Sequence, residues 1–108
     1  MLLLPQPKLE LIGLDRQDKF RGEHGPAFLF HRVTGIEAGD PFDMDMTTGR
    51  HSVRRIWCGQ CKEEIGWLYV KAPRLSQEYK VGKYLVEGEL LSAVMPRGGI
   101  AQAISPKL

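Results

Sequence analysis

The sequence predicts a small all-β domain, and three observations support that class. Short apolar runs alternate with polar residues at a period of two, which is typical of strands with one buried face. Glycine and proline, 12 and 7 of the 108 residues, separate these runs at short intervals. No stretch keeps the apolar period of a helix for more than a turn or two. A chain of 108 residues is long enough for one hydrophobic core.

The first predicted strands lie before residue 50. Residues 1–19 show a brief apolar alternation and then the polar run DRQDK, which predicts a strand with loose ends. Residues 27–33 are aromatic and β-branched and lie between Gly25 and Gly35, so they form the next strand. The segment EAGDPFDMDMTTG is interpreted as a loop with a short edge strand at Phe42–Met46.

The remaining strands surround the turn CGQC. Residues 50–58 form a strand that leads directly into this turn, and residues 65–70 alternate until Pro73 ends them. The segment RLSQEYKVGK is a polar connector, and residues 83–91 form the last strand. We therefore expect a divergent or truncated segment at 1–19, a domain at 20–91 and a flexible tail at 92–108. The expected sheet core contains Phe28, Phe30, Ile56, Trp67, Tyr69 and Leu85.

Composition and charge argue against several function classes. The formal net charge of +2 is too small to predict a nucleic-acid or membrane partner. The basic residues of GRHSVRR, with Lys62, Arg74, Lys80 and Lys83, are scattered and predict a solvated face. No apolar run reaches the roughly 20 residues of a membrane helix, and MLLLPQPKL lacks the basic and cleavage regions of a signal peptide. We expect a soluble intracellular protein in a reducing compartment.

Cys58 and Cys61 are the only cysteines, and their spacing indicates half of a zinc site. Two cysteines three residues apart present both sulfurs to one side of a tight turn, and tetrahedral structural sites combine two such pairs. Two other interpretations remain open. A redox motif places its first cysteine at a helix N-terminus, whereas KEEIGWLYV favours a strand here. The two cysteines can also fall three residues apart without any shared role.

Histidine and aromatic side chains offer further candidates. His24, His31 and His51 could each complete a zinc shell, although none has a second ligand at a suitable spacing. For His51 a structural hydrogen bond is the more common role. The aromatic residues predict core packing more strongly than a ligand cage, which also remains open. They are Phe28, Phe30, Trp57, Trp67, Tyr69, Tyr79 and Tyr84.

Three stretches together resemble the Yippee (Yippee-like) family of small eukaryotic zinc-binding proteins: GEHGPAFLF, TTGRHSVRRIWCGQCKEEIGWLYVKA and SQEYKVGKYLVE. The resemblance covers residues 20–87, and its ordered matches are much more specific than the cysteine pair. The matching positions are Gly22, Gly25, Ala27, Phe28, Leu29, Thr48, Gly49, His51, Val53, Cys58, Cys61, Gly66, Trp67, Tyr69, Ser76, Gln77, Tyr79, Lys80, Gly82 and Lys83.

The resemblance implies that half of the zinc site is missing. Yippee-type domains are similar to one another in carrying an earlier Cys-x-x-Cys, at positions that correspond here to Leu2 and Pro5. We therefore expect an N-terminal hairpin that was lost or replaced, or a true start upstream of Met1, and we favour the upstream start. Two thiolates do not close a tetrahedral zinc site. We expect zinc at an incomplete site, lower stability, and metal-bridged dimers that share it.

The resemblance also implies a fold and a function. The family is similar to the β-tent fold, two antiparallel sheets pinned by zinc, which is shared with the thalidomide-binding domain of cereblon and with methionine sulfoxide reductase B. By analogy, His51, Trp57, Trp67 and Tyr69 would line a ligand pocket. The implied role is a non-catalytic interaction or regulatory module of the nucleus and cytoplasm, linked to cell division and to the GID/CTLH ubiquitin ligase.

The alternative function is a methionine sulfoxide reductase-like thiol enzyme. Such an enzyme needs a nucleophilic cysteine outside the metal turn, and the sequence holds both cysteines within that turn. A nucleic-acid-binding protein is the weakest of the classes because the net charge is small.

Overall fold

A computed structural model describes residues 9–23 and 25–89, and it confirms the all-β class. The predicted tail at 92–108 and the first eight residues lie outside the described residues. A short 3₁₀ helix, Leu75–Lys80, occupies the predicted polar connector. The strands are β1 (Glu10–Gly22), β2 (Gly25–Thr34), β3 (Ile36–Ala38), β4 (Phe42–Met46), β5 (Gly49–Cys58), β6 (Glu64–Lys71) and β7 (Tyr84–Glu87).

The strands pair antiparallel in one seven-stranded sheet, where two sheets were expected. The order is β1-β2-β7-β6-β5-β3, and β4 also pairs with β5. β7 joins the pair β1–β2 to the strands β6, β5 and β3, because it pairs with β2 on one side and with β6 on the other. On the far edge, the ten-residue β5 pairs first with β4 and then with β3. The hydrogen-bonded ladder is therefore continuous across the described strands.

An irregularity in the pairing of β5 with β6 changes which residues face each other. Ile56 pairs with Gly66 and Trp57 pairs with Glu64, so Ile65 is an extra residue on β6. At Gly66 the backbone of β7 passes so close that a Cβ would collide with the carbonyl oxygen of Leu85. Glycine is therefore required for the close approach of β6 and β7 at this point.

The sheet buries apolar side chains on both faces. Consecutive residues of a strand point to opposite faces, so Leu29 and Phe30 on β2, like Leu85 and Val86 on β7, contribute to different cores. The front core contains Ala27, Leu29, Val53, Trp67, Tyr69 and Leu85. The back core contains Phe30, Val33, Ile56, Ile65 and Val86, with Phe28 half-buried against it. The predicted core is thus confirmed for Phe30, Ile56, Trp67, Tyr69 and Leu85, whereas Phe28 is only partly buried.

Most predicted strands are found with small changes at their ends. β2, β5 and β6 contain the predicted runs, and β4 has the predicted bounds. β1 continues through the polar run DRQDK and past residue 20, where the sequence placed the start of the domain. The sequence missed β3, which lies in the segment interpreted as a loop. Among residues 9–23 and 25–89, no helix is long and apolar enough to cross a membrane.

Candidate functional site

The turn CGQC joins β5 to β6 and is held by backbone hydrogen bonds. The Cys58 N–H donates to the Glu63 carbonyl at 2.8 Å, and the Lys62 N–H donates to the Cys58 carbonyl at 2.9 Å. The Gly59 N–H donates to the carbonyl of Gly35 at 2.8 Å, which ties the turn to the β2–β3 connection. Cys58 is buried and Cys61 is exposed. The turn is therefore ordered by hydrogen bonds within its own backbone and to the β2–β3 connection.

The surroundings of Cys58 lower the pKa of its thiol. Burial is the largest influence and by itself would raise the pKa of the Cys58 thiol. Hydrogen bonds from the backbone of Cys61 and Gln60, a hydrogen bond with the Cys61 side chain and the charge of Lys62 outweigh it, so the pKa lies below its ordinary value. Thiolates are the form of cysteine that binds metals.

A separate cavity of about 570 Å³ opens on the front face of the sheet. This volume is typical of pockets for small molecules. Its wall is built from β1, β4 and the β4–β5 turn, β6, the 3₁₀ helix and β7. The lining residues are Phe20, Gly22, Glu23, Met44, Asp45, Met46, Thr47, Thr48, Trp67, Tyr69, Tyr79, Lys80 and Leu85.

The structure brings together two of the residues predicted to line a pocket. Trp67 and Tyr69 both line the cavity, with their rings edge-on and 6.4 Å apart. His51 is fully buried behind the wall, against the ring of Tyr69. Trp57 lies beyond the β5–β6 irregularity and packs its indole ring against Gly39. Neither His51 nor Trp57 is among the lining residues.

His51 makes the structural hydrogen bond expected from its place on a strand. Its Nδ1 lies 3.0 Å from the Gly49 carbonyl, so Nδ1 carries the proton and donates it. Burial lowers the pKa of His51; the Gly49 bond opposes this, and the charges of Lys80 and Arg74 lower it further. Nε2 of His51 is buried and, within the described residues, has no hydrogen-bond partner. The ring is therefore neutral near pH 7.

Lys80 is a cavity residue that the sequence did not predict. We expected it on a solvated face, which is wrong: only 4% of Lys80 is exposed. The turn after the 3₁₀ helix is tied to β6, because the Gly82 N–H donates to the Tyr69 carbonyl at 2.9 Å and the Tyr69 N–H donates to the Lys83 carbonyl at 3.0 Å. These bonds draw the end of the helix onto the sheet, and burial lowers the pKa of Lys80.

The polar atoms of Trp67 and Tyr69 are poorly satisfied. Burial raises the pKa of Tyr69 to about 12. The Trp67 side chain lowers this pKa by a smaller amount, and the nearby Tyr79 raises it slightly. The Tyr69 hydroxyl lies 3.9 Å from the sulfur of Met46, a weak acceptor. The Trp67 N–H lies near enough to the Tyr69 phenol to affect its pKa, but it is not aligned to donate a hydrogen bond to any described residue. The cavity wall therefore contains a buried donor without an acceptor.

Comparison with known proteins decides the family. The model described as "Yippee zinc-binding/DNA-binding /Mis18, centromere assembly" matches residues 10–102. The chain belongs to the Yippee-Mis18 family. This confirms the resemblance found in the sequence.

Relatives within the Yippee-Mis18 family share part of the chain. Protein yippee-like 4 of Homo sapiens is 44% identical over 68 residues, which is 63% of this chain and 54% of the relative. A putative yippee-like protein of Oryza sativa subsp. japonica is 43% identical over 68 residues, 63% of this chain and 57% of the relative. Protein yippee-like 3 of Oryzias latipes is 41% identical over the same shares. The chain thus spans about half the length of these relatives.

The Yippee-Mis18 family is described as zinc-binding, and the described residues supply only part of such a site. Within residues 9–23 and 25–89, no group of three or more His, Cys, Asp or Glu side chains is placed to hold a metal. His31 pairs with Asp15 at 2.8 Å, and His51 bonds to Gly49. His24 lies outside the described residues. Cys58 and Cys61 are thus the two thiols that the described residues offer to a zinc site, and these residues alone do not close one.

Proposed function

We propose that the chain is a non-catalytic Yippee-like interaction module that binds through the front cavity. The observation that carries this proposal is the separation of the cavity from the thiols. The cavity wall is aromatic and apolar around Trp67 and Tyr69, whereas Cys58 and Cys61 lie in the β5–β6 turn and neither lines the cavity. An aromatic cavity with a few polar groups suits binding, and nucleophilic catalysis would need a reactive side chain beside the bound molecule.

The cysteine turn has a structural role in this proposal. Its thiols would hold zinc together with ligands from outside the described residues or from a second molecule. Zinc would then tie the end of the β5–β6 hairpin to another segment, in the manner of a structural site. The cavity, which is built from β1, β4, β6, β7 and the 3₁₀ helix, would remain free for a partner.

The methionine sulfoxide reductase alternative makes a different prediction. A thiol reductase would reduce methionine sulfoxide with dithiothreitol as the electron donor, and Cys61→Ser would abolish the reaction. We expect no reduction by the full chain at any ratio of zinc to protein. Thiol-dependent turnover that is lost in Cys61→Ser and kept in the control Ser76→Ala would overturn the non-catalytic assignment.

The partner we propose is a ubiquitin ligase of the GID/CTLH type, and we propose that the two proteins bind each other in the nucleus or the cytoplasm. We expect no salt-dependent binding to DNA, although the family description names it, because the formal net charge is +2. Titration of a labelled DNA duplex at two salt concentrations measures this directly, and tight binding that weakens with salt would favour DNA as the partner.

The proposal is tested by mixing the purified full chain with a purified GID/CTLH-type ligase and following their comigration by size-exclusion chromatography. Thr47→Arg places a bulky charge at an exposed position of the cavity wall. Ser76→Arg makes the same change at an exposed position of the 3₁₀ helix away from the cavity. We expect comigration of the wild type and Ser76→Arg, but not of Thr47→Arg. No comigration of any form would overturn this partner, and comigration of Thr47→Arg would overturn the cavity as its binding site.

A further inference from the structure

The ammonium group of Lys80 occupies an aromatic cage formed by the same chain. Its Nζ lies 5.4 Å from the centre of the Tyr69 ring and 5.9 Å from the centres of the Phe20 and Tyr79 rings. Cation–π attraction operates at such distances and strengthens when water is excluded. The three rings therefore stabilise a charge that belongs to the chain itself.

An internal cation changes what the cavity can bind. A ligand with its own ammonium group would meet rings already engaged by Lys80 and would be repelled by it. The Lys80 ammonium has three donors, and within the described residues its Nζ makes one hydrogen bond, to the Thr48 hydroxyl at 3.3 Å. The Lys80 ammonium can therefore donate further hydrogen bonds at this wall of the cavity. The aromatic rings beside it favour contact with a flat apolar group.

The indole of Trp67 supplies a second, independent indication. Trp67 lines the cavity and is 4% exposed, and its N–H is buried without a partner among the described residues. A buried donor without an acceptor costs free energy that a bound acceptor would recover. Among the described residues of the cavity lining, Lys80 thus has donors left unused after its bond to Thr48, and the Trp67 N–H has no acceptor.

The carboxylates near the cavity do not supply that acceptor. Among the lining residues, Glu23 bonds to Arg55 at 2.9 Å and Asp45 bonds to Arg50 at 2.8 Å. Glu87 is buried behind Gly22, outside the lining, and has an interaction of its own. Lys83 carries a further positive charge near the Tyr79 ring and pairs with Asp15. Among the charged residues described in the cavity lining, Lys80 is the one without an ion pair to another described residue.

We propose that the cavity binds a small organic anion, namely a carboxylate attached to a flat apolar body. The carboxylate oxygens accept hydrogen bonds from Lys80 Nζ and from the Trp67 N–H. The flat body lies against the aromatic wall. This inference rests on the proposed function, because it assigns a ligand class to the same cavity. The carboxylate can belong to a free metabolite or to the C-terminal residue of a peptide, and the two sources share this chemistry.

Three probes of nearly equal size test the charge preference on the full chain. Phenylacetate is the anion, phenylacetamide is the neutral isostere, and phenethylammonium is the cation. Binding is followed by NMR through the indole N–H signal of Trp67, which is assigned by its loss in Trp67→Phe. We expect phenylacetate to shift this signal and to bind roughly tenfold or more tightly than the amide, because a charge-assisted hydrogen bond is lost with the charge. Phenethylammonium should not bind.

Matched variants connect the preference to Lys80. Lys80→Met keeps the length of the side chain and removes its charge, so the acid and the amide should bind equally. Lys71→Met makes the same change at an exposed end of β6, outside the cavity lining, and should keep the preference.

A peptide ending in phenylalanine, with a free or an amidated C-terminus, identifies the source of the carboxylate. Binding of only the free-carboxylate peptide would favour peptide ends, and binding of only phenylacetate would favour a metabolite.

Equal binding of the three probes to the wild type would overturn the anion inference and leave the cavity as a general binding site. A preference that survives in Lys80→Met would also overturn it. No shift with any probe or peptide would overturn the inference alone, since comigration with the ligase tests the proposed function separately. The comparison of probes on the wild type holds even where a variant fails to fold.

Discussion

The ring of His51 stands edge-on to the ring of Tyr69, with 5.4 Å between the two ring centroids and 66° between the ring planes. Both side chains are nearly or fully buried on the front face of the sheet. Burial disfavours the charged form of each group, so it lowers the pKa of the histidine and raises that of the tyrosine. This pair therefore opposes unfolding best between the pH at which His51 would gain a proton and the pH at which Tyr69 would lose one.

His51 should make the free energy of unfolding fall in mild acid. In the unfolded chain its pKa is near 6.5, and in the folded chain it is lower. Below pH 6.5 the unfolded chain binds the proton more readily, so the contribution of His51 is present above that pH and lost as the pH falls. The slope from one such group is at most about 1.4 kcal/mol per pH unit.

The measurement is urea unfolding, followed by tryptophan fluorescence between pH 5 and 8, of the wild type and His51→Asn. The asparagine amide can still donate to the Gly49 carbonyl, but it does not titrate. We expect the wild type to lose stability relative to the variant as the pH falls through this range. Parallel curves for the two proteins would contradict the prediction.

Tyr69 should limit stability in alkali. Its pKa is raised to about 12 in the folded chain, from an ordinary value near 10. The contribution of its neutral form is present below pH 10 and lost as the pH rises from 10 to 12, because the unfolded chain ionises first. Tyr69→Phe removes this loss.

The measurement is the phenolate absorbance of the wild type minus that of Tyr69→Phe. We expect this difference to stay near zero through pH 11 while circular dichroism shows a folded chain. A difference that develops near pH 10 in the folded protein would show that the hydroxyl is solvated. Alkaline urea unfolding of both proteins then gives the matching stability curves.

Local patterns in the sequence predicted the strands that combine alternation with clear ends. β5 and β6 were found because β-branched and aromatic residues alternate up to the cysteine turn on one side and up to Pro73 on the other. β3 has three residues and is defined by pairing with β5, as between Ile36 and Cys58, which no local pattern encodes. The single sheet likewise depends on β7 meeting both β2 and β6.

The candidate site was predicted only in part, because local sequence patterns do not encode contacts between residues that are distant in sequence. Trp67 and Tyr69 share a face because they lie two residues apart on one strand. The irregularity at Ile65 interrupts the register that would relate Trp57 to them. Burial of Lys80 follows from hydrogen bonds between its turn and Tyr69, which are distant in sequence. A lysine in a polar segment gives no sequence signal for such burial.

Gly66→Ala should destabilise the chain strongly. The new Cβ would collide with the Leu85 carbonyl oxygen and lie 2.9 Å from its carbon, so β6 and β7 must separate. We expect a loss of at least about 3 kcal/mol in the free energy of unfolding. Gly82→Ala is the matched control, since nothing lies within 4 Å of its Cβ and only its φ of +82° is unfavourable. It should cost about 1 to 2 kcal/mol, and equal losses in the two variants would contradict the packing argument.

Zinc content gives the sharpest test of the cysteine turn. Cys58 and Cys61 provide two thiols, and the described residues add no third ligand to them, whereas a closed structural site needs four. We therefore expect less than one zinc per chain, or one zinc shared by a dimer. Elemental analysis together with native mass spectrometry measures both quantities on one sample. Cys61→Ser should abolish zinc binding and dimerisation together, and the control Ser76→Ala should change neither. One tightly bound zinc in a monomer would contradict the half-site and would direct attention to His24, the histidine outside the described residues.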